Sequence, residues 1–213
     1  MSSGIAGLLP DSEIRKLCVL TPDELSRGRK PMVSPFAERT ERGEHGGRIP
    51  SYGLSPAGYD LRQSFQLSVY EPSRSVVIDA STRIDVMDFD DRLLSPLELL
   101  WDERGRYFLL PAQQFALGVA LERIHMPPDV VATTWPKSTW IRAGLYIANT
   151  VIEPGWGGDL VLEYRNLTDW PIKLYLDVGI AQLRFERLAS PPERPYDKLN
   201  GRYHNQAGLT TPR

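Results

Sequence analysis

Cysteine occurs once and histidine three times in 213 residues, and that scarcity excludes more than the length does. Cys18 alone cannot close an internal disulfide or build a thiolate cluster around zinc, and His45, His125 and His204 stand too far apart for a local metal motif. A reducing, cytoplasmic setting is the expectation. Charge of one sign is also missing: 25 Lys and Arg face 27 Asp and Glu, for a formal charge of -2, so neither nucleic acid nor an anionic membrane is expected as a partner. No apolar run approaches the roughly 18 residues of a membrane helix. The opening MSSGIAGLLPDSEIRKL sets no basic segment before an apolar core, so a soluble protein is expected. GxxxxGK phosphate loops and GxGxxG helix entries are absent too, which leaves any phosphate to side chains and turns.

What the chain does have is punctuation. Its 18 Pro and 17 Gly break it into short apolar stretches, which favours many short strands over long helices. One short helix is predicted at Ser12 to Leu17, with Asp11 as its cap. Thr21 to Pro50 reads as a surface excursion. Alternating strands are predicted at Phe65–Tyr70, Ser75–Asp79, Tyr107–Leu110, Phe115–Leu121, Val130–Trp135, Asp159–Arg165, Ile172–Leu176 and Ile180–Leu188. Strands at this spacing without periodic helices between them predict an all-β antiparallel sandwich or barrel-like jelly roll. A single domain would span 1–213, with 1–50 as helix and arm and 189–213 as a tail that orders over a ligand or a neighbour.

The chemistry-bearing side chains concentrate in WPKSTWIRAGLYIANTVIEPGWGGDLVLEYRN. Lys137 and Thr139 can meet phosphate while Ser138 and Arg142 face a reacting group, although the same string reads equally as a surface loop. The turn at EPGWGGD reverses the chain and would carry Glu163 back toward that segment. In LVLEYRN, Leu160, Leu162 and Tyr164 fall on one strand face, and Val161, Glu163 and Arg165 on the other. In a partly closed pocket, burial would raise the pKa of Glu163 and suit it to proton transfer; the alternative is a structural ion pair. In YGLSPAGYDLR, Asp60 and Arg62 read as a subunit contact or as a brace for the pocket, or Asp60 as a buried acceptor of backbone amides. Trp135, Trp140, Trp156 and Trp170 read as core or interface anchors, and Cys18 as a small buried residue beside the first helix.

Taken in order, LLPDSEI, SYGLSPAGYDLR, PKSTWIRAG, IEPGWGGDLVLEYRN, GIAQLRFERL and RPYDKLNGRYHNQAG make most of the chain similar to the deoxycytidine triphosphate deaminase family, within the trimeric dUTPase-like superfamily. The resemblance implies a distorted jelly roll of the dUTPase-like β-clip type, assembled as a homotrimer with active sites at subunit boundaries and C-terminal tails closing over a deoxynucleotide triphosphate. It implies deamination of dCTP to dUTP and ammonia without catalytic zinc, or, as the alternative within the same family, pyrophosphate hydrolysis with or without deamination. By that likeness Glu163, Ser138 and Arg142 are catalytic; Lys137, Thr139, Tyr196, Arg202 and Gln206 contact phosphates; and Glu153 reads the sugar hydroxyl. Mg2+ would be held mainly by the triphosphate. The chain departs from the pattern at Pro136, where the family commonly has Gly, and at Arg202, where a tail lysine is more usual.

Overall fold

The computed structural model describes residues 6–39, 49–70, 94–199 and 201–210. Two short helices open the fold. In α1 (Asp11–Cys18), Ile14 and Cys18 stand four residues apart on one face and are buried with Met32 and Val33. Burial pushes the Cys18 thiol up to about 12, so it stays protonated and inert. The cap differs from the sequence expectation. Pro10 occupies that position, and Asp11 is the first helical residue, its carboxylate reaching only the adjacent amide of Ser12 at 2.7 Å. A second helix, α2 (Pro22–Ser26), was not expected; a capping box between Thr21 and Glu24 starts it, and Pro22 fixes its first turn.

The strands are β1 (Gly7–Leu8), β2 (Val33–Ser34), β3 (Gly53–Ser55), β4 (Gly58–Tyr70), β5 (Leu94–Pro96), β6 (Leu99–Asp102), β7 (Gly105–Leu110), β8 (Phe115–His125), β9 (Val130–Pro136), β10 (Leu145–Ile147), β11 (Val151–Ile152), β12 (Gly157–Asn166), β13 (Ile172–Tyr175) and β14 (Gly179–Arg187). A third short helix, α3 (Ser138–Arg142), interrupts them after β9. The main sheet runs β10-β12-β8-β4-β14-β9-β11, with β1 on β14, β2 on β8, and β3 and β5 on β4; β13-β7-β6 form a small second sheet. Every strand pair among the described residues is antiparallel, so the all-β jelly-roll expectation holds. The expected strand at Ser75–Asp79 lies outside the described residues. β4 starts seven residues earlier than the alternation suggested, because Tyr59 to Arg62 already pair with β14 in the sheet.

The core dictates where β12 presents its side chains. Leu160, Leu162 and Tyr164 are buried, and the Tyr164 hydroxyl donates to Gln63 Oε1 at 2.6 Å. Gly118 on β8 allows this, since a Cβ there would stand 2.8 Å from the Tyr164 ring and 2.7 Å from that Gln63 oxygen. Val161 and Glu163 therefore emerge on the opposite face.

The ion pair between Arg62 and Glu122 is buried in this framework. Glu122 has no solvent exposure and accepts from the Arg62 backbone amide at 2.9 Å and from its Nε at 2.7 Å, while the guanidinium lies 4.6 Å above the Tyr52 ring. Glu122→Ala strands the cation beside apolar neighbours and should lower stability by about 3–5 kcal/mol. Urea unfolding followed by circular dichroism measures the loss, and a loss under about 1 kcal/mol would show that water already solvates the pair.

Candidate active site

A cavity of about 580 Å3 opens on the exposed face of β12. Glu163 lies opposite Leu117 of β8, and its backbone carbonyl accepts from the Ala148 amide at 3.0 Å, so the residue is pinned from two sides. Its side-chain Oε2 is buried and has no hydrogen-bond partner. Burial holds the carboxyl above its ordinary range, as expected for an acid walled by Tyr70, Phe115, Leu117 and Val161. The tilted Tyr70 and Phe115 rings stand 5.3 Å apart at this wall. Burial, then the neighbouring Glu163 charge, pushes the Tyr70 phenol up to about 12. The structural ion pair weighed for Glu163 from the sequence is not what it makes: no cation pairs with it among the described residues.

The EPGW turn after β11 forms the next wall. Glu153 lines the cavity, and Trp156 donates its amide to the Glu153 carbonyl at 3.0 Å. The tail then returns across the opening. Tyr196 donates its amide to the Pro154 carbonyl at 2.8 Å, Trp156 Nε1 donates to the Tyr203 carbonyl at 3.0 Å, and Tyr196, Tyr203 and Gln206 all line the cavity. Gln206 Nε2 donates to the Asp159 carbonyl at 2.6 Å, while its Oε1 is buried without a partner. Arg202 is exposed on the tail and does not line the cavity.

Glu163, Glu153, Tyr196 and Gln206 thus meet in one cavity, and the KST residues do not join them. Within one chain the turn brings Glu163 to the tail, not to the KST segment. Lys137 precedes α3 with its ammonium against the Asp60 carboxylate and 3.1 Å from Ser51 Oγ. Asp60 also accepts from Gln182 Nε2 at 3.1 Å and from Ser51 Oγ at 3.2 Å, so the side-chain partners of its carboxylate are other side chains, at a corner that does not line the cavity. Trp140 Nε1 donates to the Gly179 carbonyl at 2.7 Å and anchors α3, which leaves Ser138, Thr139 and Arg142 exposed on its outer side. Large apolar side chains are also exposed on α3 and the strands near it in sequence: Trp135 at 47%, Ile141 at 42%, Tyr146 at 40% and Val151, which lines the cavity, at 55%. Sequence reasoning missed Tyr70, Phe115, Trp156 and Tyr203 as cavity walls; Tyr203, set between Arg202 and Gln206 in GRYHNQ, carried the one readable signal.

An antiparallel β fold that carries a buried carboxylate in an aromatic cavity, covered by the chain's own C-terminal segment, defines an all-β enzyme with a tail-covered acid site. The chain belongs to the dCTP deaminase-like family, whose model matches residues 37–188. It is 33% identical over 182 residues to the dCTP deaminase of Ectopseudomonas mendocina (strain ymp), covering 85% of this chain and 90% of that protein. It is 34% identical over 207 residues to the dCTP deaminase of Campylobacter concisus (strain 13826), covering 97% and 98%. Its fold matches the crystal structure of 2'-deoxycytidine 5'-triphosphate deaminase from Agrobacterium tumefaciens with a TM-score of 0.56 at 21% identity, over 85% of this chain and 48% of that one. Among the described residues no helix is long and apolar enough to cross a membrane.

Proposed function

We propose that the protein hydrolyses the amino group of dCTP, consuming water and giving dUTP and ammonia, in a homotrimer whose sites join two chains. The observation that carries this reading is the state of Glu163: buried, without a cation, with a free oxygen facing a cavity lined by aromatic walls and the tail. A carboxylate so placed can take a proton from water as its oxygen adds to C4 of cytosine and deliver that proton to N3; it then takes the second proton from the new C4 hydroxyl and passes it to the amino group, so that the C4–N bond breaks, ammonia leaves and the C4 carbonyl forms. Ser138 and Arg142 of a neighbouring copy then hold the attacking water and the polar intermediate. Their exposure on α3, together with the exposed apolar side chains Trp135, Ile141 and Tyr146, supports a half-site completed by a second chain.

Glu153, Tyr196 and Gln206 line the same cavity, which supports Glu153 as the reader of the sugar hydroxyl and Tyr196 and Gln206 as phosphate contacts in this reading. Thr139, Arg202 and Lys137 complete the phosphate side in this reading, and Lys137 would leave Asp60, or share it, on binding. Mg2+ arrives with the triphosphate. Among the described residues no group of three or more His, Cys, Asp or Glu side chains stands together as a metal-binding cluster.

Incubation with dCTP and Mg2+, with dUTP, dUMP, dCMP, ammonia and pyrophosphate resolved separately, tests the reading. Ammonia equal to dUTP is expected. Pyrophosphate without ammonia would overturn it in favour of attack at phosphorus.

A further inference from the structure

We infer that Asp159, braced by Arg123, is the latch that holds the C-terminal tail over the cavity, and that it acts as a positioning residue for nucleotide binding. The kinetic part of this inference rests on the dCTP reading above; the latch itself does not. Asp159 is the last residue of β12 before the strand's register with β8 shifts, and it sits directly across from Arg123. That placement divides its carboxylate. Oδ1 receives Arg123 Nη1 at 2.6 Å, and Oδ2 accepts the Gly208 backbone amide at 2.8 Å.

The main chain of Asp159 is used as well. Its amide donates to the Gln206 carbonyl at 3.0 Å, and its carbonyl takes the Gln206 side-chain amide at 2.6 Å. One residue before it, Gly158 adopts φ +154, and a Cβ there would lie 3.1 Å from both the amide nitrogen and the carbonyl oxygen of Gln206. The Asn205 amide donates to the Gly157 carbonyl at 2.6 Å. The tail therefore runs beside the first three residues of β12, and Asp159 holds it through three separate groups. Gly208 itself turns at φ +67, and the next amide, that of Leu209, donates to Gln66 Oε1 at 2.8 Å.

Asp159 does not line the cavity, but the residues on either side of its hold do, namely Tyr203, Gln206 and Thr210. Two of the tail's bonds to β12, Asn205 to Gly157 and Asp159 to Gln206, run backbone to backbone and carry no sequence preference. The Asp159 carboxylate adds a charge-assisted bond, the kind whose removal shifts a local closing equilibrium by about tenfold or more. Since the latch touches no reacting atom, it should set how tightly nucleotide is held and not how fast bonds break.

Two measurements on the full chain test this. Hydrogen exchange of residues 203–210 in the nucleotide-free protein should speed up about tenfold in Asp159→Ala, with β12 and β8 beyond the register shift unchanged, and Asp159→Asn, which keeps an oxygen for Gly208, should fall between. With dCTP, Asp159→Ala should raise KM about tenfold and leave kcat within about twofold, with Asp159→Asn again intermediate. Unchanged tail exchange would overturn the latch. A fall in kcat together with melting temperature, at constant KM, would make Asp159 merely structural. A wild-type protein that releases no ammonia would sink the dCTP reading alone, because the exchange experiment still decides the latch.

Discussion

Glu163→Gln is expected to reduce kcat for ammonia release from dCTP by about a thousandfold while changing dCTP affinity by no more than a few fold. The substitution keeps size and the capacity to accept a hydrogen bond, and removes only the ability to take and return a proton. Single-turnover product analysis with equilibrium binding separates the two effects, and retention of more than about a tenth of wild-type turnover would remove Glu163 from the proton path. The pH dependence has a fixed sign. Burial raises the Glu163 pKa, and the working base is the ionised form, so the acid limb of kcat/KM should lie above the ordinary carboxylate range. Stability carries the mirror image. A carboxyl whose folded-state pKa is raised contributes most below its unfolded value and loses that contribution as pH rises through the folded value. Glu163→Gln should therefore be the more stable protein at neutral pH, with the difference vanishing in acid; thermal melting across pH reads it.

Mixing two inactive variants should restore turnover. Glu163→Gln supplies an intact α3 with Ser138 and Arg142, and Ser138→Ala supplies an intact Glu163 cavity. In one chain these groups do not share a cavity, so a site built across a boundary can draw one good half from each. Unfolded together and refolded at equal amounts, the pair should recover about a quarter of wild-type activity, the product of two one-in-two chances at each site. Each variant treated alone stays inactive. No recovery, with assembly into mixed oligomers confirmed by mass, would mean that each chain builds its site by itself.

The sequence was most readable where the backbone follows a short period. The LVLEYRN alternation placed Glu163 on the face that opens to the cavity, because a strand whose one face must bury Leu160, Leu162 and Tyr164 has no choice about the other. Three classes of feature were not readable. Contacts between distant segments leave no local trace: Lys137 pairs with Asp60 across 77 positions, and Tyr70 meets Phe115 only because β4 and β8 are neighbours in the sheet. Very short elements span too few residues for a period to repeat clearly, so α2, β5 and β6 went unpredicted although the Thr21–Glu24 capping box was present in the string TPDE. The α3 residues illustrate a third case. Composition grouped Lys137, Ser138, Thr139 and Arg142 as one phosphate-and-catalysis cluster, while the helix splits them: Lys137 turns inward to Asp60 and the other three face outward.

The absent side chain at Gly158 ties two distant stretches into one heritable unit. A methyl group at that position would press on the main chain of Gln206, where no rotamer change can give way, and the unusual φ adds its own strain. Saturation mutagenesis would then score almost every substitution at 158 like a deletion of the tail. Conversely, a descendant that dispensed with residues 203–210 would lift the steric part of the demand for glycine at 158 and leave the part that its φ imposes.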